Sequence, residues 1–306
     1  MKVVGLGEVL WDLLPGHTCL GGAPANFAYI TTLLGDQGIV ASRVGVDSRG
    51  VEALRRLKEL GLVVSHVQTD REHPTGTVKV ELDAQGRARF EIAQPVAWDF
   101  LEWTPDWQRL AESADAVCFG SLAQRSEKSR ATIGRFLGAM SARTVKVFDV
   151  NLRQSYYSRE ILAESMRAAD IVKLNDEELA KIMSLGGFPH SSPHKDERSS
   201  ARRLMEAYEL KLVCVTRGGR GSLLVSGQEA NEHPGFRVSV ADTVGSGDAF
   251  TAGLVHEYLH GAALGRMNLD QMNEVASRVG AWVASEVGAM PTPKRGKIEQ
   301  VLAEIR

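Results

Sequence analysis

Short apolar runs of four or five residues recur along this chain, and between most of them lie stretches in which apolar residues return at helical spacing. That alternation limits the possible folds more than any other feature. Strands joined through helices pair in parallel, and a parallel sheet needs helices on both faces to bury it. The expected fold class is α/β, a doubly wound, mostly parallel sheet flanked by helices. Strands are predicted at residues 2–6, 39–44, 116–119, 145–149, 171–174 and 212–216. Helices are predicted over 24–34, ended by Gly35, and over 49–60, closed by Gly61. One section breaks the rhythm. Residues 76–92 alternate Val78, Val80 and Leu82, turn at Asp83-Ala84-Gln85-Gly86 and resume with Phe90 and Ile92, the pattern of a β-hairpin outside the main sheet. Residues 189–200 are polar and read as a loop. No internal repeat or low-complexity tract is apparent.

Composition narrows the function classes. Of 306 residues, 36 are Lys or Arg and 38 are Asp or Glu, a formal net charge of −2, which points to no polyanionic partner. Hydrophobic residues at 43% and charged residues at 24% exclude disorder and fibres. The longest apolar runs, such as 212–215, fall far short of the ~20 residues a bilayer helix needs. The N-terminus reaches Glu8 before a signal-peptide core forms, and the three cysteines (Cys19, Cys118, Cys214) make no Cys-x-x-Cys pair. A reduced, cytoplasmic protein is expected, with neither nucleic acid nor membrane as partner.

The densest chemical signal is Asp242-Thr243-Val244-Gly245-Ser246-Gly247-Asp248, followed by a helical stretch through His260. Gly245 and Gly247 allow close backbone approach, so successive amides at the helix start can point into one concavity. The helix dipole adds positive potential there, which suits a phosphoryl group in transfer. Asp248 on the rim can accept the proton of an attacking hydroxyl. An isolated Gly-x-Gly-Asp fits a plain turn with an N-cap equally well. Rival phosphate motifs are absent: there is no Gly-x-x-x-x-Gly-Lys-Ser/Thr, and Gly5-Leu6-Gly7 lacks the third glycine of a dinucleotide fingerprint.

That segment resembles the C-terminal signature of the ribokinase-like (PfkB) carbohydrate kinases, and Gly21-Gly22-Ala23-Pro24-Ala25-Asn26 resembles their N-terminal one. The pieces 44–50, Asn175-Asp176-Glu177-Glu178 and Thr216-Arg217-Gly218-Gly219-Arg220-Gly221 follow in family order, so the likeness spans nearly the whole chain. Ser246 stands where the family more often has alanine. The resemblance implies a single kinase domain over 1–306, with ATP and Mg2+ as cofactor and metal. It makes Asp248 the catalytic base and the amides of Gly245, Ser246 and Gly247 the anion hole. Asp12, Gly22, Asn26 and Arg153 match sugar-binding positions. Asn175, Thr216, Gly218, Gly219, Gly221 and Ser277 match nucleotide-binding ones, and Glu178 would organise magnesium through water. Asn175 and Glu178 also fit a helix capping box, and both readings can hold together. A monovalent cation such as K+ is implied beside the anion hole, at Asp242, Val244, Val283, Glu286, Gly288 and Thr292.

Asp149-Val150-Asn151-Leu152-Arg153 and Gly120-Ser121-Leu122-Ala123-Gln124 look most like bacterial fructokinases, which implies fructose as substrate, with 2-keto-3-deoxygluconate or ribose as alternatives. The hairpin resembles the family's β-sheet lid, formed by about 9–20 and 75–99. Phe90 or Trp98 could stack on a sugar there or pack the core. Such lids pair between subunits in the family, which implies a homodimer. One feature belongs to another class: His256-Glu257-Tyr258-Leu259-His260 matches the His-Glu-x-x-His of zinc hydrolases, without a third ligand recognisable in sequence. Half-buried or surface helix histidines are the expected reading.

Overall fold

A computed structural model describes the chain except residues 15, 83–87, 186–195, 228, 266, 294–296 and 306. The expected turn at 83–86, most of the loop expected at 189–200 and the Phe90 side chain lie outside the described residues. The strands are β1 (Lys2–Leu6), β2 (Leu10–Leu14), β3 (His17–Gly21), β4 (Gln37–Gly45), β5 (Val67–Asp70), β6 (Gly76–Leu82), β7 (Ala88–Ile92), β8 (Ala116–Gly120), β9 (Val145–Asp149), β10 (Ile171–Asn175), β11 (Leu212–Thr216), β12 (Ser222–Ser226) and β13 (Glu229–His233). The α-helices are α1 (Ala23–Leu33), α2 (Ser48–Glu59), α3 (Pro105–Ser113), α4 (Glu127–Ala139), α5 (Arg159–Ala168), α6 (Asp176–Ser184), α7 (Glu197–Ala207), α8 (Ser246–Ala263), α9 (Leu269–Ala284) and α10 (Ile298–Leu302).

Nine strands form the main sheet in the order β13-β12-β11-β10-β9-β8-β1-β4-β5. Pairing is parallel from β11 through β5, and β12 and β13 extend the β11 edge antiparallel. The strand period sorts side chains to two cores. Val4, Leu6, Val213 and Val215 face a cluster with Trp107, Phe136, Leu162 and Leu179. Their neighbours Val3, Leu212 and Cys214 face Phe27, Ile30, Leu254 and Trp282. Helices therefore cover both faces, which is why the central strands read as unbroken apolar runs. The second sheet, β3-β2-β6-β7, holds both expected lid segments, with β2 parallel to β6 and each flanked by an antiparallel neighbour.

One expectation needs correction. Helix α7 starts inside the loop expected at 189–200, because the Asp196 carboxylate accepts from the amides of Arg198 (3.2 Å) and Ser199 (3.3 Å) and caps it. Of the two readings for Trp98, the structure shows the one in which it packs the core. It is fully buried, with the Arg125 guanidinium 4.0 Å above its ring, and only glycine at position 76 leaves room for its indole, since a Cβ there would lie 2.3 Å from Nε1. No helix among the described residues is long and apolar enough to cross a membrane.

Candidate active site

The parallel strands β1, β8, β9, β10 and β11 end on one rim, and helix α8 begins there. Open α/β sheets bind their ligands beyond such strand ends. Gly245 takes a left-handed turn (φ 78°) just before α8, packed so closely on Ala289 that a Cβ would sit 2.4 Å from the alanine methyl. No side chain caps α8; the Ser246 amide donates to the Thr243 carbonyl at 3.3 Å, while no side chain covers the amides of Gly247 and Asp248 at the rim. The Ser246 hydroxyl donates back to the Thr243 carbonyl at 2.9 Å, which takes it out of the concavity.

Asp248 lies half-buried in that first turn, and the Asn26 side-chain amide, 222 residues away on α1, donates to its Oδ2 at 2.8 Å. Burial above all, and then the Asp149 charge, push the Asp248 carboxyl up to about 6, against the Asn26 hydrogen bond and the Lys173 and Arg153 charges. Beneath the turn is a buried pair. Lys173 Nζ donates to both Asp149 oxygens at 3.1 Å, and Thr251 Oγ1 donates to Asp149 Oδ2 at 3.2 Å. Burial alone would lower the lysine, yet the Asp149, Glu178 and Asp248 charges hold it above the ordinary range, so it stays cationic. A Cβ on Gly247 would stand 3.0 Å from Lys173 Nζ, which places this cation directly under the Gly245–Gly247 turn.

Two more carboxyls face the same cleft. Burial pushes Asp12 up to about 6, opposed by Arg153, and Gly21 makes room for it, since a Cβ there would lie 2.7 Å from Asp12 Oδ2. Glu8 is buried with Oε2 unpartnered, and burial, reinforced by the Asp248 charge, pushes it up to about 7. Gly22 (φ 110°) lies against the Glu8 carbonyl, 2.4 Å from where its Cβ would be. Arg153 is exposed at the mouth, and its charge lowers all three carboxyls. Carboxyls, an amide and a guanidinium around one polar cleft suit a ligand rich in hydroxyls.

Asn175 and Glu178 form a reciprocal capping box on α6: the Glu178 amide donates to Asn175 Oδ1 at 2.7 Å and the Asn175 amide donates to Glu178 Oε2 at 2.9 Å. Glu178 Oε1 also accepts the Leu152 amide at 2.7 Å, tying α6 to the Asp149–Arg153 strand end. Thr216 ends β11, and Gly218 (φ 56°) and Gly221 (φ 85°) turn the chain into β12, with Gly218 and Gly219 exposed. Ser277 is buried on α9 behind this turn, its hydroxyl 3.0 Å from that of Ser222. The Asp242 carboxylate accepts from the amides of Val244 (3.0 Å) and Gly288 (3.1 Å), which joins the two backbone segments carrying Asp242, Val244, Val283, Glu286 and Gly288. The Tyr29 hydroxyl of α1 donates to the carbonyl of Pro291, next to Thr292, at 2.8 Å.

The histidine pair lies elsewhere. His256 Nδ1 and His260 Nε2 contact the buried Asp36 carboxylate at 2.7 and 3.1 Å. Glu257 turns to α9, where its carboxylate accepts from Gln271 Nε2 at 2.8 Å, so the glutamate that a zinc peptidase would use as base does not face the histidines. Glu8 and Lys173 received no role from sequence reasoning. Lys173 left a signal all the same, a lone charge within the apolar run Ile171-Val172-Lys173-Leu174.

A doubly wound sheet whose strand ends gather carboxyls, an amide and a guanidinium beside an uncapped helix start has the build of a sugar phosphotransferase. The chain belongs to the pfkB family of carbohydrate kinases, whose model matches residues 16–295, and it is a kinase that acts on a sugar alcohol group. It is similar to the fructokinase of Escherichia coli, 31% identical over 314 residues that cover 97% of this chain and 98% of that one. A sugar kinase from Pyrococcus horikoshii solved in complex with ATP superposes with a TM-score of 0.79 at 26% identity, covering 98% of this chain and 97% of that one. The fructokinase of Vibrio cholerae O395, solved with fructose, ADP and calcium, gives a TM-score of 0.77 at 25% identity and 94% coverage of each chain.

Proposed function

We propose that this kinase transfers the γ-phosphoryl group of ATP to fructose. The observation that carries the reading is the Asp248 carboxylate, held by Asn26 beside the uncapped start of α8. In the proposed complex Asp12, Gly22, Asn26 and Arg153 hold the sugar, and Asp248 aligns the attacking hydroxyl and collects its proton. Phosphoryl transfer is largely dissociative, so a base near pKa 6 suffices late in the step and positioning dominates. The amides of Gly245, Ser246 and Gly247 take the charge on the moving group, and the Lys173 ammonium beneath adds to their field. The exposed glycines of the Thr216–Gly221 turn leave room for a nucleotide along the backbone, with Asn175 near its phosphates and Ser277 bracing the turn from behind.

Glu178 fits magnesium held through water. Each of its oxygens already accepts one amide, and a carboxylate retains further lone pairs for a metal-bound water. Magnesium would neutralise phosphate charge. A monovalent cation such as K+ would sit on the carbonyls of Asp242, Val244, Val283, Glu286 and Gly288, near Thr292. The second sheet, with segments at about 9–20 and 75–99 of a single domain over 1–306, serves as a lid that excludes water, and a homodimer forms through it in a cytoplasmic enzyme. Fructose is favoured because the Escherichia coli and Vibrio cholerae relatives are fructokinases.

An ATP-coupled screen over fructose, ribose, 2-keto-3-deoxygluconate, adenosine and fructose phosphates tests the reading, with EDTA and added magnesium as arms. Fructose should give the highest kcat/KM, EDTA should abolish turnover and magnesium should restore it. A tenfold or greater preference for another acceptor would replace fructose, and activity that survives EDTA would remove the metal.

A further inference from the structure

Asp36 sits in the turn between α1 and β4, where Gly35 (φ 94°) reverses the chain and the Asp36 amide donates to the Thr31 carbonyl at 3.2 Å. Its side chain is 1% exposed. His256 and His260, one helical turn apart on α8, aim Nδ1 and Nε2 at its two oxygens, and their ring centroids are 4.4 Å apart. The α-amino group of Met1 also lies 3.0 Å from Asp36 Oδ1. One ligand atom from each of Asp36, His256 and His260 falls within 4.8 Å of the other two.

We propose that Asp36, His256 and His260 form a structural zinc site, separate from the phosphoryl-transfer centre. Zinc binds His nitrogen and carboxylate oxygen at about 2.0–2.2 Å, so neighbouring ligand atoms of a tetrahedral site stand roughly 3.3 Å apart. The 2.7 and 3.1 Å contacts of the imidazoles, one to each Asp36 oxygen, are about 0.6 and 0.2 Å shorter than that spacing. Either ring nitrogen can hold a proton for the carboxylate or present a lone pair to a metal, so the same side chains serve both states. His260 is 47% exposed on its side chain, which gives an ion a path from solvent and leaves a coordination position for water. Glu257 points to Gln271, away from the three ligands, so the bound ion has no general base and clamps α8 to the α1–β4 turn without hydrolysing peptides. The site begins eight residues along α8 from Asp248, about 12 Å at 1.5 Å per residue.

The test is calorimetric titration of the chelator-stripped full chain with Zn2+ in the absence of nucleotide, repeated with His260→Ala and with a His256→Ala/His260→Ala double variant. Cobalt titration supplies a visible-absorption signature of tetrahedral coordination. Wild type should take up one more equivalent of zinc than the double variant, and His260→Ala should weaken that equivalent at least about tenfold, since even groups outside a ligand set can cost that much. The cobalt band should vanish in the double variant, while kinase turnover without zinc stays at the wild-type value in both variants and reports that they are folded. Equal zinc uptake by wild type and double variant, including none by either, would overturn the site.

Discussion

At the scale of single residues, the site is a contest between burial and charge. Asp248 is pushed up to about 6 by burial and by Asp149, while Asn26, Lys173 and Arg153 oppose the rise. A base must be ionised to accept a proton, so activity belongs to the pH range above that value. kcat/KM should fall about tenfold per pH unit below about 6 and level off above it, as read from steady-state rates at fixed magnesium and ATP. An acid limb centred near 4 would contradict the raised Asp248 carboxyl in the free enzyme. The residues proposed to touch the reaction stand out in sequence because glycine and aspartate lie at fixed offsets around a helix start. Lys173 and Glu8 do not, because their importance lies in desolvation, and burial is set by the tertiary contacts of strands far apart in the chain.

Elements carry these residues into register. Helix α8 both presents the anion turn and packs against α9, and the two come close where Gly253 faces Ala276, since a Cβ on Gly253 would lie only 3.0 Å from Ala276 Cα. Gly253→Val would therefore push the helices apart. It should lower stability by roughly 1–3 kcal/mol in denaturant unfolding, with a loss of kcat from the displaced turn; unchanged stability would show that the contact is not limiting. Strands β8 to β11 were readable as apolar runs because both their faces are covered. β13 was not: Glu229-Ala230-Asn231-Glu232-His233 has no apolar pattern, and it is a strand only because β12 pairs with it antiparallel. The start of α7 was likewise hidden, since Asp196 caps a helix within a polar stretch that otherwise reads as loop.

For the whole molecule, the cleft concentrates carboxyls that fold into a costly environment. Glu8 at about 7, with Asp12 and Asp248 at about 6, all exceed their unfolded values near 4. The folded state thus binds protons more tightly than the unfolded one, and this contribution to stability is present below about pH 4 and lost as the pH rises through 6 to 7. Asp36 acts in the opposite direction: burial would raise it, but hydrogen bonds from His256, the Met1 amine and His260 hold it well below the usual carboxylate range, so its contribution is lost only on strong acidification. The ligand-free protein should melt at a higher temperature at pH 5.5 than at pH 8. A melting point that only falls on acidification would mean that water reaches these carboxyls in the native state. The mostly parallel sheet and its helical cover were legible from alternation alone, whereas the joining of Asn26 to Asp248 required the closed fold.

The most direct measurement is turnover of Asp248→Asn with fructose and magnesium ATP, both saturating. The substitution keeps the shape and the Asn26 contact but removes the proton acceptor. kcat should fall by about 10²-fold or more while the KM for each substrate stays within a few-fold of wild type. Turnover near the wild-type rate would contradict the assignment of Asp248 as the base and, with it, the mechanism built on the start of α8.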